Sequence, residues 1–165
     1  MLAGVLVGAV LVLVAEFLFV TQGGMPVSTQ GGPLPMERFI TGKALRAAIG
    51  KEAELPSPVP ADPANLLAGA KVYRESCMVC HGSLGAKEPT PFARGMFPPP
   101  PQLLPPNEGV TDDPVGETHW KVHNGIRLTG MPAFRSTLSQ TEEWQVSELV
   151  HSADKLPDDV QATLK

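Results

Sequence analysis

The stretch Cys77-Met78-Val79-Cys80-His81 decides how the rest of the chain is organised. C-x-x-C-H is the attachment pattern of a c-type haem. Two thiols a helical turn apart can each form a thioether to a vinyl group of the macrocycle, and the histidine that follows is held beneath the iron as the proximal ligand. Three other readings compete. A thioredoxin-like redox pair wants a βαβ setting, and no strand-rich pattern precedes Cys77. A structural cysteine pair with a chance histidine leaves His81 without a role. A zinc site built from Cys77, Cys80, His119 and His123 has legitimate His-x3-His spacing, but 38 residues separate its halves and His81 is again idle. The motif therefore predicts one covalently bound haem c, attached through Cys77 and Cys80, with His81 on the iron.

Composition agrees with a core completed by a cofactor. Of 165 residues only 5% are aromatic, while 18 are proline and 16 glycine. Two cysteines cannot build a multi-disulfide scaffold. Such a loop-rich chain has a thin apolar core, and a porphyrin supplies the missing area. The net charge of −4 excludes the basic footprint of a nucleic-acid binder.

The apolar residues are unevenly spread. Leu2 to Val20 (LAGVLVGAVLVLVAEFLFV) contains one charge, Glu16, and no proline. Nineteen helical residues reach roughly 28 Å, enough for a hydrocarbon core of about 30 Å. A cleaved signal peptide would want a basic residue before a shorter apolar run and small residues at the cut. No Lys or Arg precedes this run, and the best cut, after Ala15, has Leu13 at the −3 position. Residues 1–20 are thus expected to be an uncleaved transmembrane anchor. Glu16 either snorkels near the outer end or faces a neighbouring helix that satisfies it.

Residues 21–61 read as a linker with a short helix over 41–50, starting at Thr41 or Gly42 and stopping at Gly50. Arg38, Lys43 and Arg46 suit lipid phosphates or a partner subunit. Pro56, Pro58 and Pro60 stiffen the end of the linker. Asp62 followed by Pro63 is a sound helix start, and Leu66, Ala70, Tyr73 and Cys77 form one apolar stripe running into the motif. Asp113-Pro114 repeats that start for a helix over 115–124, which Gly125 stops. Ser139 with Glu142 is a capping box for a helix to about Ala153, closed by Leu156-Pro157, and 158–165 are expected to be a tail.

A second axial ligand must come from outside the motif, and the candidates are Met96, Met131, His119, His123 and His151. Met131 lies between Gly130 and Pro132, an irregular backbone able to present a thioether. Met96, in a similar loop, is its competitor, with core packing as its alternative role; His123 follows.

Residues 62–157 resemble the class I monohaem cytochromes c, with the motifs in the family's order. Trp120 to Phe134 (WKVHNGIRLTGMPAF) is similar to the NGI…GMP segment of membrane-associated relatives. The resemblance implies an all-α cytochrome c fold around one haem, preceded here by a single N-terminal transmembrane helix, with Met131 as sixth iron ligand. The eight prolines between 89 and 106 resemble the family's proline loop, in which a carbonyl accepts the Nδ1–H of the proximal histidine. The sequence does not choose among Pro98 to Pro101; Pro100 is carried as the candidate. Leu103 and Leu104 are expected on the haem edge, Trp120 near the haem or a propionate, and Arg127 as a propionate partner.

The implied function is one-electron transfer, not enzyme catalysis. No paired carboxylates, nucleophile triad or phosphate loop points to a small-molecule substrate. The implied partners are membrane lipid and redox proteins, as fellow subunits of a respiratory or photosynthetic complex. The implied location is the bacterial cytoplasmic membrane, with the haem domain on the periplasmic side. A haem with an open sixth position, as in a peroxidase or gas sensor, is the alternative.

Overall fold

The computed structural model describes residues 2–104 and 110–165, so Pro105 and Pro106 of the proline loop lie outside the described residues. The chain divides into two units, Met1–Glu37 and Arg38–Lys165. Among the described residues every regular element is helical.

The first unit is dominated by α1, Leu2–Thr21. None of its residues is buried by protein, and it is long and apolar enough to cross a membrane. An apolar helix with no protein packed on it is stable where lipid replaces that packing, which fits a membrane anchor. Its end is closed by Gly24 N–H donating to Phe19 O at 2.8 Å, with Gly23 at φ +80°.

Helix α2 runs over Glu37–Ile49, so all but its first residue belongs to the second unit. It begins four residues before the expected Thr41. The Glu37 carboxylate accepts the Leu34 N–H at 2.7 Å, and an acid in the first turn suits the positive end of the helix dipole. Gly50 ends it as expected, at φ +52°, and a 3₁₀ turn over Gly50–Glu54 follows. Helix α3, Pro63–Ser76, starts on Asp62, whose Oδ1 accepts the Asn65 N–H at 2.9 Å. A break at Cys77 separates it from the single turn α4, Met78–His81.

Helix α5 covers Val115–Asn124, as the spacing predicts, but Asp113 does not cap it. Pro114 occupies the cap position, which places Asp113 one residue too early; its carboxylate instead lies 3.7 Å from Lys121 Nζ. Helix α6, Gln140–His151, carries the expected capping box: Ser139 Oγ accepts the Glu142 N–H and Glu142 Oε2 accepts the Ser139 N–H. It stops two residues before Ala153.

The expected tail is a correction. Asp158–Thr163 form helix α7, with Val160 and Leu164 fully buried. In the sequence these two apolar residues are four apart within a short polar run, too few to reveal a helical stripe.

Helices α3 and α6 cross at the centre of the core, and α5 and α7 pack against this pair. Leu66, Ala70 and Tyr73 of the predicted α3 stripe meet Val146, Leu149 and Val150 of α6. The crossing is close at Gly69, where a Cβ would collide with the backbone of Gln145. Gln145 Nε2 also donates to Asn65 Oδ1 at 2.9 Å.

Candidate functional site

The end of α3 and the last two residues of α4 line a largely apolar cavity. Cys77, Cys80 and His81 line it together, because Cys80 and His81 donate their backbone N–H groups to Cys77 O at 3.0 and 2.9 Å and wind the motif into a single turn. Tyr73, fully buried one turn earlier, braces this turn: its hydroxyl lies 2.9 Å from Gly82 O and 3.2 Å from His81 O. The spacing of the motif did not signal this brace; the only sequence trace was Tyr73 as the polar-tipped member of the α3 stripe.

Both cysteines are half-buried free thiols. Burial, together with Cys80, pushes the Cys77 thiol up to about 12, so it is neutral at physiological pH. His81 is held in one orientation by Nδ1, which donates to a proline carbonyl at 2.7 Å. The carbonyl is that of Pro101, not Pro100. The chain doubles back here, with Leu103 N–H reaching His81 O at 3.4 Å, so the proline nearest that return meets the ring. Pro100 still lines the cavity. Burial lowers the His81 pKa, and the bond to Pro101 opposes this in part. The result is a neutral ring whose Nε2 has no hydrogen-bond partner among the described residues, the form in which imidazole ligates a metal.

The loop after α5 also lines the cavity. Gly125, at φ +66°, turns the chain so tightly that a Cβ there would lie 2.6 Å from Ala133 N. Ile126 N–H donates to Met131 O at 3.2 Å and Met131 N–H to Thr129 Oγ1 at 3.1 Å, closing a compact loop. Met131 lines the cavity from this loop, and so does Met96 from the proline segment. The Met96 methyl lies against Gly130, where a Cβ would strike it. Both thioethers named from the sequence thus reach one region.

The other expected neighbours divide. Leu103 lines the cavity. Leu104 does not: it is fully buried in the α3/α6 core, since successive residues of a non-helical segment point in different directions. Trp120 is half-buried and Arg127 exposed, and neither lines the cavity. The four-ligand zinc arrangement is not assembled. Among the described residues, His119 and His123 gather with Glu143, not with the two cysteines.

These residues fit a haem: two thiols, an imidazole nitrogen and thioether sulfur around one largely apolar cavity, and a backbone carbonyl fixing the imidazole. No curated protein matches the sequence. The family model described as cytochrome C oxidase, cbb3-type, subunit III matches residues 64–150, from α3 through almost all of α6, and so includes Cys77, Cys80, His81, Met96 and Met131. With just over half of its length matched, the chain belongs to the cbb3-type cytochrome c oxidase subunit III family, and its helical domain is a cytochrome c domain for a covalently bound haem c.

Proposed function

We propose that this protein carries single electrons through a haem c held by Cys77, Cys80 and His81, with Met131 as the second axial ligand, as an anchored subunit of a membrane redox complex. A bound haem would supply the one-electron Fe(III)/Fe(II) couple, with His81 and Met131 as the residues that would hold its iron and favour the reduced form. The observation that carries the reading is the His81–Pro101 hydrogen bond of 2.7 Å, which orients the ring and leaves Nε2 for a metal. The chain's residues then bind and position. Cys77 and Cys80 anchor the macrocycle, the Tyr73 hydroxyl braces the turn that carries them, and the closed loop from Gly125 delivers Met131.

Helix α1 would hold the domain on the periplasmic side of a bacterial cytoplasmic membrane, where thioether attachment takes place. Arg127, exposed in the methionine loop, is the proposed partner of a propionate that leaves the cavity. The basic residues of α2, Arg38, Lys43 and Arg46, would touch lipid phosphates or a neighbouring subunit.

The test is a mild-detergent extract of membranes, resolved by size exclusion and then by denaturing electrophoresis with haem staining. Haem is expected to stay on a polypeptide of 17.5 kDa that elutes together with other proteins. Haem lost on denaturation would refute the attachment. Elution as a lone monomer in its micelle would leave a tethered shuttle. High-spin iron that binds carbon monoxide would replace the carrier by a sensor or peroxidase.

A further inference from the structure

His119 and His123 stand four residues apart on α5, so their rings share one face of the helix. Across from them on α6, Glu143 places Oε2 at 2.9 Å from His123 Nδ1 and 3.5 Å from His119 Nε2. The three donor atoms all lie within 4.8 Å of one another. None of the three residues lines the haem cavity.

Two features ask for an occupant. Glu143 is only 1% exposed, and a carboxylate held out of water needs positive charge beside it. His119 Nε2 is itself buried and has no hydrogen bond. The His119 ring cannot turn away to find one, because it stacks on Trp144 with centroids 3.8 Å apart and planes within 6°. A proton shared between His123 and Glu143 at 2.9 Å makes an ordinary hydrogen bond, but it leaves His119 only a long contact of 3.5 Å to the same carboxylate oxygen, with no hydrogen bond. A tetrahedral ion with ligands at about 2.0–2.1 Å separates neighbouring ligand atoms by about 3.3 Å. The observed 2.9 and 3.5 Å bracket that edge. An ion serves all three groups where a proton serves two.

We propose that His119, His123 and Glu143 bind a divalent first-row transition-metal ion, with Zn(II) the ion best suited to two imidazoles and one carboxylate and with water completing the tetrahedron. The ion would tie α5 to α6 just before Gly125, at the stem of the methionine loop. The proposal stands on this cluster alone and does not depend on which residues ligate the haem iron.

The test takes the purified, haem-loaded full chain in detergent, without a polyhistidine tag, strips it with a chelator and titrates it with Zn(II) by calorimetry. The expected result is one ion per chain at micromolar affinity or tighter, and a raised thermal midpoint. Binding should weaken at least about tenfold in His123→Ala and in Glu143→Gln, with the haem spectrum unchanged. If Glu143→Gln does not fold, His119→Ala takes its place beside His123→Ala, whose side chain is one-third exposed. No saturable uptake by the wild type overturns the proposal. So does undiminished uptake by the folded variants, which would put the ion on other side chains.

Discussion

Replacing Gly69 by alanine sets two opposed effects against each other at the crossing of α3 and α6. Within a helix, Gly→Ala ordinarily gains about 0.8–1.0 kcal/mol from propensity. Here the added Cβ would sit 2.7 Å from the carbonyl carbon of Gln145 and 3.2 Å from Leu149 Cβ, and closer still to Gln145 O. Carbon atoms in contact prefer about 3.5–4.0 Å, so α6 must retreat by roughly 1 Å, and a gap of that size forfeits up to about half of each dispersion contact along the interface. Overpacking costs typically about 1–3 kcal/mol. The obstructing atoms are backbone and cannot rotate away, which puts this site at about 3 kcal/mol. The net loss is then about 2 kcal/mol, or roughly 8 °C at about 4 °C per kcal/mol for a domain of this size. Thermal unfolding of the haem-loaded protein, followed by far-ultraviolet circular dichroism, measures it. An unchanged or raised midpoint would show that propensity wins, and that the two helices do not approach as closely as described.

Met131→Ala should abolish the weak long-wavelength sulfur-to-iron absorption of the ferric protein and lower its reduction potential, with Met96→Ala leaving both in place; the reverse pattern would move the ligand to Met96. Gly125→Ala forces a side chain into a positive-φ, extended-ψ backbone open essentially to glycine alone, at about 1–3 kcal/mol, and against Ala133 N at 2.6 Å, so the same absorption should weaken while haem attachment stays complete; an unaltered band would show that the loop tolerates the shift. Hydrogen bonds from the Ser139 hydroxyl and amide hold the Glu142 carboxyl below the usual glutamate value. Because the folded value is the lower one, the stability it brings is full above the ordinary carboxylate range and is lost as pH falls through the folded value. Ser139→Ala should therefore be less stable than the wild type near neutrality, with the difference shrinking below about pH 4 in a denaturation series; a gap that stays constant would mean the carboxylate charge is not involved.

The motif and the helices bounded by local signals were legible because each rests on neighbours in sequence. Asp62 with Pro63, Gly125 after Asn124, and Ser139 with Glu142 are caps written within four residues, and all three mark element ends in the structure. Asp113-Pro114 looked the same and failed, since two adjacent residues cannot say which of them takes the cap position. Long-range pairings were not legible. Pro101 reaches His81 from 20 positions away, and nothing in a run of four prolines distinguishes its carbonyl from the three before it. Glu143, one residue past the capping box, carries no local sign of burial in the sequence, yet it is buried against two histidines from α5. The structure, by contrast, brings Met96 and Met131 into the same space and so keeps both thioethers in play at the site.

The backbone hydrogen bond from Leu84 N–H to Leu164 O, 2.9 Å long, joins the segment three residues past His81 to one 80 positions further along. Leu164 and Val160 are fully buried in the same core as α3. Pairings of such sequence separation form late, because the loop between them must close first. Cys77 and Cys80 face a cavity that no residue of α7 lines, so a chain halted before α7 would lack that strap without losing the cavity wall that carries the two thiols. A chain cut after Pro157 should therefore accept haem covalently yet yield a domain that proteases digest more readily.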